Sequence, residues 1–253
     1  MRRRLHDSRL RSHRSHDVTF LLNRWQRVAS LAGLEWRVIH ETSGGPVVSL
    51  RTTGALDNAL YLSTGVHGDE AGSVLGLLDW AEGSLETLRS RPFLIFPVFN
   101  PAGLAANTRG DETGLDLNRN FHDTRHPHIA AWLRETENTS FSAAVCLHED
   151  YDAQGLYCYE INAGSCAAER LVSACEHIIP RDPRLEIEGR PALGGIIHRP
   201  EPPGDIPGVP EAIALVYSGT ALSLTFETPS EFALTDRADA HAEFVRSFLY
   251  RPA

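Results

Sequence analysis

Ala59-Leu60-Tyr61-Leu62-Ser63-Thr64-Gly65-Val66-His67-Gly68-Asp69-Glu70 is the stretch whose reading decides the fold. Its first half is apolar and β-prone, and it ends at a glycine, as a buried strand does. A helical pattern follows, opening with Ala71 to Trp80 and extending over residues 71–89. Strand, loop, helix in that order is the unit of an α/β sheet, and sites in such sheets sit at the carboxyl ends of strands. His67 and Glu70 stand three apart in that loop. An imidazole and a carboxylate there can reach one ion, and the pair suits zinc.

Working outward, the same arrangement recurs. Pro92 to Phe99 is a dense apolar run, hence a central strand with Pro97 near its end, followed by an Asn100-Pro101-Ala102-Gly103 turn. Ala143 to Leu147 is a short strand with His148 directly after it. Leu156 to Ile161 is another, and Leu222 to Phe226 is the last, with Glu227 at its end. Helices are expected after Asp17, over Ile129–Glu135, Ala167–Ile179 and Thr235–Tyr250. Upstream, Glu35–His40 and Pro46–Arg51 read as a hairpin around Ser43-Gly44-Gly45. Residues 180–212, rich in proline and glycine, read as a surface excursion with one short strand near Gly195–His198. Strands alternating with helices give an α/β class with a mixed, mostly parallel sheet. No repeat and no linker divides the chain, so residues 17–253 are expected to form a single catalytic domain behind a basic tail, residues 1–16, that carries six arginines and three histidines.

Composition excludes several classes. With 42% hydrophobic residues in 253, the chain can bury a sizeable core. A formal charge of −9 argues against a general nucleic-acid binder, and the basic tail alone does not change that. No apolar run approaches the ~20 residues that span a bilayer, and no apolar segment follows the N-terminal arginines as a secretory signal requires. Cys146, Cys158, Cys166 and Cys175 lack Cys-x-x-Cys spacing and read as incidental thiols. These features together predict a cytoplasmic protein with no membrane partner.

The chemistry converges on one crevice. If the strands before His67, His148 and Glu227 are neighbours, their ends bring together two histidines and two glutamates. His67, Glu70 and His148 form a three-ligand zinc set with an open position, one ion per chain. Glu227 is then the carboxylate free to act as general base. The loop from Asn107 to His128, about twenty residues, is too long to be idle in a compact domain. Within it, Asn118 and Arg119 offer an amide beside a forked guanidinium, suited to a carboxylate, and Arg109 is a further cation for a developing oxyanion.

His67-Gly68-Asp69-Glu70, Asn100-Pro101-Ala102-Gly103, Thr108-Arg109, Gly114-Leu115-Asp116-Leu117-Asn118-Arg119-Asn120-Phe121, His148 and Thr225-Phe226-Glu227, in that order, resemble the zinc metallocarboxypeptidases of the carboxypeptidase A-like family. The resemblance covers roughly residues 59–250. It implies a three-layer α/β/α sandwich around a mixed, twisted, eight-stranded sheet. It implies that His67, Glu70 and His148 ligate zinc, that Glu227 is the base, that Arg109 polarises the scissile carbonyl, and that Asn118 and Arg119 grip the substrate's terminal carboxylate. The substrate would be a peptide or N-acyl amino acid with a free carboxylate. The related succinylglutamate desuccinylase and aspartoacylase branch, which shares a His-Gly-x-Glu motif, gives the alternative of an N-acyl amino acid deacylase. A non-catalytic zinc-binding protein is the second alternative. The match departs where the family carries a lid tyrosine: residues 191–212 contain none, and Tyr217 reads as core or strand. Glu149 and Asp150 are expected either to orient His148 or a neighbouring residue, or to sit in solvent. His198 reads as a loop residue, and His122, His126 and His128 as surface. Side-chain preference and oligomeric state have no signature in the sequence.

Overall fold

The computed structural model describes residues 14–250, apart from residues 55, 138, 163, 165, 203 and 205. Of the basic tail, residues 1–13 lie outside the described residues. Residues 14–16 form a turn packed on the body: Arg14 pairs with Asp17, Ser15 is buried, and His16 Nδ1 lies 2.9 Å from the Leu104 carbonyl oxygen.

Helix α1 (Val18–Ala32) starts where Asp17 accepts a hydrogen bond from the Phe20 amide and stops at Gly33, whose φ of 73° closes the last turn. Its apolar stripe, including Leu21, Leu22, Trp25 and Val28, is buried. Strands β1 (Leu34–Thr42) and β2 (Gly45–Thr52) make the expected hairpin. Strand β3 (Leu60–Thr64) leads through the His67 loop into α2 (Ala71–Gly83). The single helix expected over 71–89 is two, because the chain turns at Ser84 before α3 (Leu85–Ser90). Strand β4 (Phe93–Phe96) ends at Pro97, which has no amide hydrogen to extend a ladder. The Asn100–Gly103 segment is not a free turn. Asn100 caps a short helix, α4 (Pro101–Ala106), by accepting from the Gly103 amide, and Pro101 occupies its first turn.

Further on come α5 (Pro127–Thr136), β5 (Ala143–Asp150), β6 (Tyr157–Ile161) and α6 (Ala168–Cys175), the last shorter than its pattern suggested. The 180–212 region carries a small hairpin, β7 (Glu186–Ile187) with β8 (Arg190–Pro191), before β9 (Ile196–Arg199). His198 is therefore on a strand, not in a loop. Helix α7 (Glu211–Tyr217) has no counterpart in the sequence reading, and Tyr217 is an exposed residue at its end rather than core or strand. Strand β10 (Ser223–Pro229) and helix α8 (Leu234–Leu249) close the chain.

Eight strands form one sheet in the order β1-β2-β4-β3-β5-β10-β6-β9. The central pairs β4–β3, β3–β5 and β5–β10 are parallel, as is β6–β9, while β1–β2, β2–β4 and β10–β6 are antiparallel. Strand residues alternate between faces. Leu62, Val145, Leu147, Leu224 and Phe226 pack with α1, α2, α6 and α8 in the larger core. Tyr61, Phe96, Ala144 and Cys146 face the other way, toward α5 and α7. The result is a three-layer α/β/α sandwich around a mixed, mostly parallel sheet, as expected. No helix among the described residues is long and apolar enough to cross a membrane.

Candidate metal centre

Alternation and register set the site. On β5, Ala144, Cys146 and His148 share one face, and on β10, Thr225 and Glu227 do. The two strands are parallel neighbours with Glu227 opposite His148. The next parallel neighbour of β5 on its other side is β3, which delivers the His67 loop to the same end of the sheet. That loop is tight. Gly65 has φ of 65°, and a Cβ on Gly68 would lie 1.9 Å from the Gly103 carbonyl carbon, so α4 packs directly on the glycine between His67 and Asp69. Asn100 holds the loop from below: its amide donates to the Gly65 carbonyl at 2.7 Å.

His67, Glu70 and His148 come together from β3, α2 and β5. Each is buried, and their candidate ligand atoms all lie within 4.8 Å of one another. His67 Nδ1 is 2.5 Å from Glu70 Oε1, and His148 Nδ1 is 3.0 Å from Glu70 Oε2. Burial penalises a charged His67, but the Glu70 carboxylate and the hydrogen bonds to Asp116 and Glu70 prevail and raise its pKa to about 9. Burial pushes Glu70 up, and the two imidazoles more than reverse this, holding the carboxyl well below the usual range.

Two imidazoles sharing one buried carboxylate suit a divalent borderline ion such as zinc. The other nitrogen of His67 adds to the fit. Nε2 lies 3.2 Å from Asp116 Oδ1, the carboxylate–histidine arrangement that fixes a ligating ring. Asp116 also accepts from the Asn118 amide at 2.9 Å and from Arg109 Nε at 3.1 Å, so one carboxylate ties a candidate ligand to the long loop between Asn107 and His128. Sequence reasoning missed this role, although Asp116 lies inside a quoted motif.

A cavity of about 730 Å³ opens over the cluster, and all seven residues singled out from the sequence line it: His67, Glu70, His148, Glu227, Arg109, Asn118 and Arg119. Glu227 is 9% exposed. Burial raises its pKa, Glu70, Asp150 and Glu188 add to this, and His148 opposes it. Asn118 is held in one orientation. Its carbonyl oxygen accepts from the Glu211 amide at 2.9 Å, which leaves its NH2 group as the donor for a ligand. Glu211 is itself anchored under the sheet, its carboxyl accepting from Tyr61 Oη and, at 2.7 Å, from Ser63 Oγ. Burial pushes the Glu211 carboxyl up. No local pattern in the sequence marked Glu211.

Other expectations need correction. Glu149 does not orient His148. It is buried and bonded to Arg237 at 2.5 Å and Thr228 at 3.4 Å, and Asp150 accepts from Tyr157 Oη at 2.9 Å. His128 is buried, stacked on Phe99 with ring centroids 4.6 Å apart, because the first turn of α5 faces the core. His126 is mostly covered and bonds Asp111 at 3.0 Å. Tyr217 does not line the cavity, whereas Tyr151, Tyr157 and Tyr159 do.

Residues 57–151 match the model of the succinylglutamate desuccinylase/aspartoacylase catalytic domain. No curated protein matches the sequence. Among solved structures, a protein of Shewanella amazonensis assigned to the metallopeptidases superposes with a TM-score of 0.81 at 22% identity, covering 92% of each chain. A metallo-carboxypeptidase of Burkholderia cenocepacia gives 0.65 at 16% identity over 90% of this chain and 67% of its own. Murein-tripeptide amidase MpaA of Escherichia coli O157 gives 0.60 at 18% identity over 86% and 93%. At these identities the structures establish a shared fold. With the matched family model, they support a metallo-hydrolase of the carboxypeptidase and succinylglutamate desuccinylase/aspartoacylase type, in line with the resemblance read from the motifs.

Proposed function

We propose that the protein is a zinc-dependent hydrolase that cleaves an amide bond next to a free carboxylate. The observation that carries this is the Glu70 carboxylate held between the Nδ1 atoms of His67 and His148, with Glu227 in register beside His148. In this reading His67, Glu70 and His148 hold one zinc ion. Bound there, zinc would polarise the substrate carbonyl and lower the pKa of a water.

The chain's own residues do the rest. Arg119 and the NH2 group of Asn118 receive the substrate's carboxylate, which fixes the neighbouring amide over the metal cluster. Glu227 accepts a proton from the attacking water and returns it to the departing nitrogen. A buried carboxylate with a raised pKa is suited to both transfers. Arg109, steadied by Asp116, faces the negative charge that develops on the carbonyl oxygen.

A second reading has its own support. The matched family model favours a deacylase that releases an amino acid from an N-acyl amino acid. Peptides with a free carboxyl terminus and N-acyl amino acids, assayed side by side with zinc-loaded protein, separate the two. Peptide cleavage is expected. Cleavage of the acyl amino acids alone would replace the first reading with the second. Tightly bound zinc with no turnover of either class would reject both.

A further inference from the structure

A second polar cluster lies behind the metal cluster, on the opposite face of the sheet. Strands β5 and β10 run in parallel register, with Glu227 opposite His148 and, one residue further on, Thr228 opposite Glu149. Successive strand residues point to opposite faces, so the first pair faces the cavity and the second faces the layer of α2 and α8. There Glu149, Thr228 and His241 are buried. Glu149 accepts from Arg237 of α8 at 2.5 Å, and Arg237 Nε donates to the Phe232 carbonyl at 2.9 Å. Thr228 Oγ1 lies 3.4 Å from Glu149 Oε1 and 3.1 Å from His241 Nε2. None of these groups takes part in the hydrolysis described above.

Helix α2 starts beside this cluster without a cap of its own. Its N-cap is Glu70, and a side chain at that position ordinarily accepts from the second or third amide of the helix. Glu70 makes no such bond, because its carboxylate lies between the imidazoles of His67 and His148. The amide of Gly72, the second helical residue, donates to Glu149 instead. The cap of α2 therefore comes from the neighbouring strand. Glycine is what admits it: a Cβ at residue 72 would lie 2.0 Å from Glu149 Oε1 and 3.0 Å from Arg237 Cβ. One turn on, a Cβ at residue 76 would lie 2.4 Å from His241 Cβ, so α8 packs against the backbone of α2 and brings Arg237 to Glu149. An apolar pair of similar size would serve stability as well as this buried ion pair does. It would offer the Gly72 amide no acceptor.

We infer that Glu149, locked by Arg237, is a positioning residue for the metal site: it caps α2 in place of Glu70, which leaves the Glu70 carboxylate free to lie between the two histidines. Without it, the first turn of the helix and the metal compete for one carboxylate. This rests on the reading of His67, Glu70 and His148 as zinc ligands.

The test measures zinc affinity by chelator competition, and stability by urea denaturation of metal-free protein, both on the full chain. Glu149→Leu with Arg237→Met removes both charges together, so no unpaired ion is buried and stability should match wild type or exceed it. Zinc affinity should nonetheless fall about tenfold or more, the scale set by groups that orient a ligand. Glu149→Gln with Arg237→Met restores an oxygen for the Gly72 amide without the charge, and should bind zinc within about threefold of wild type. Gly72→Ala, although alanine ordinarily favours a helix, displaces the Glu149 carboxylate and should weaken zinc more than about threefold. Leu215→Ala, buried on the other face of the sheet, should lose stability and keep its zinc affinity.

Wild-type zinc affinity in the leucine double variant overturns the assignment and leaves the metal reading standing. Equal losses in the leucine and glutamine double variants overturn it as well, because the acceptor for Gly72 would then be irrelevant. So does a loss in Leu215→Ala as large as theirs, which would reduce the effect to general destabilisation. Should the leucine variant not fold, unchanged affinity in Gly72→Ala overturns it alone. A wild type that binds no zinc removes the metal reading and this inference with it.

Discussion

The molecule holds two groups of histidines with similar spacing and opposite chemistry. The rings of His67 and His148 lie 5.1 Å apart, and those of His40 and His128 lie 5.5 Å apart, with His126 a further 6.3 Å from His128. In the first group a buried carboxylate lies between the rings and raises His67 to about 9. In the second, burial, then repulsion from His40 and His126, lowers His128 to about 3. Asp111 bonds His126, and at His128 its charge opposes the lowering without reversing it. Among the described residues, only His67, Glu70 and His148 bring three ligand atoms close enough for one ion. Ring proximity therefore does not make a metal site. What separates the groups is an anion held where both rings point, and that depends on the strand-end loop that carries Glu70.

The largest expected effect breaks the first group directly. His67→Ala should reduce bound zinc from near one per chain to under about a tenth, by elemental analysis after dialysis, since two remaining ligands hold zinc weakly. A zinc content still near one would mean that the ion sits elsewhere. Glu227→Gln sharpens the point from outside the ligand set. Zinc should stay bound while kcat falls by about a thousandfold or more, within the range of a lost general base. Activity within tenfold of wild type would remove Glu227 from that role.

A smaller effect separates the two groups through the carboxylates behind them. Asp116 backs His67, and Asp111 backs His126. Asp116→Asn should weaken zinc binding about 10- to 100-fold in chelator competition, the usual cost of losing a ligand's outer partner. Asp111→Asn should leave zinc affinity within about threefold. Equal losses in the two variants would show that the loop as a whole, and not the bond to His67, governs the metal.

Much of this organisation was legible in the sequence. Short continuous apolar runs placed β3, β5 and β10, and Asp17 with Gly33 bounded α1, because strand burial and helix capping are local. His67, Glu70, His148 and Glu227 could be assembled on paper because parallel neighbours put their ends at one edge. What stayed hidden depends on distant partners. Glu211 looks like any acidic residue near a helix start, and only Tyr61 and Ser63, 150 and 148 positions away, show that it is a buried anchor. His128 looked solvent-facing because polarity alone does not reveal that Phe99 lies under its ring. The 71–89 helix breaks at Ser84, directly after Gly83, a breaker signal that the reading as one continuous helix passed over.

The smallest effect concerns the second group alone, and its sign follows from linkage. His128 has a pKa of about 3 in the fold against about 6.5 when unfolded, so between those values the unfolded chain binds a proton that the native one does not. Its neutral, stacked form contributes fully above pH 6.5, and the contribution is lost at about 1 kcal/mol per pH unit as pH falls toward 3. His128→Phe keeps a ring on Phe99 and cannot be protonated, so its stability should fall less steeply in acid. The comparison is made on metal-free protein, where proton competition for the His67 cluster cannot contribute, by urea denaturation at pH 7 and pH 5. His241, also lowered to about 3 by burial, is unchanged in both proteins and cancels. Wild type should lose roughly 2 kcal/mol more than the variant over that interval. An equal loss in both would mean that the His128 ring takes up its proton in the fold as readily as it does unfolded, and the contrast between the two histidine groups would no longer hold.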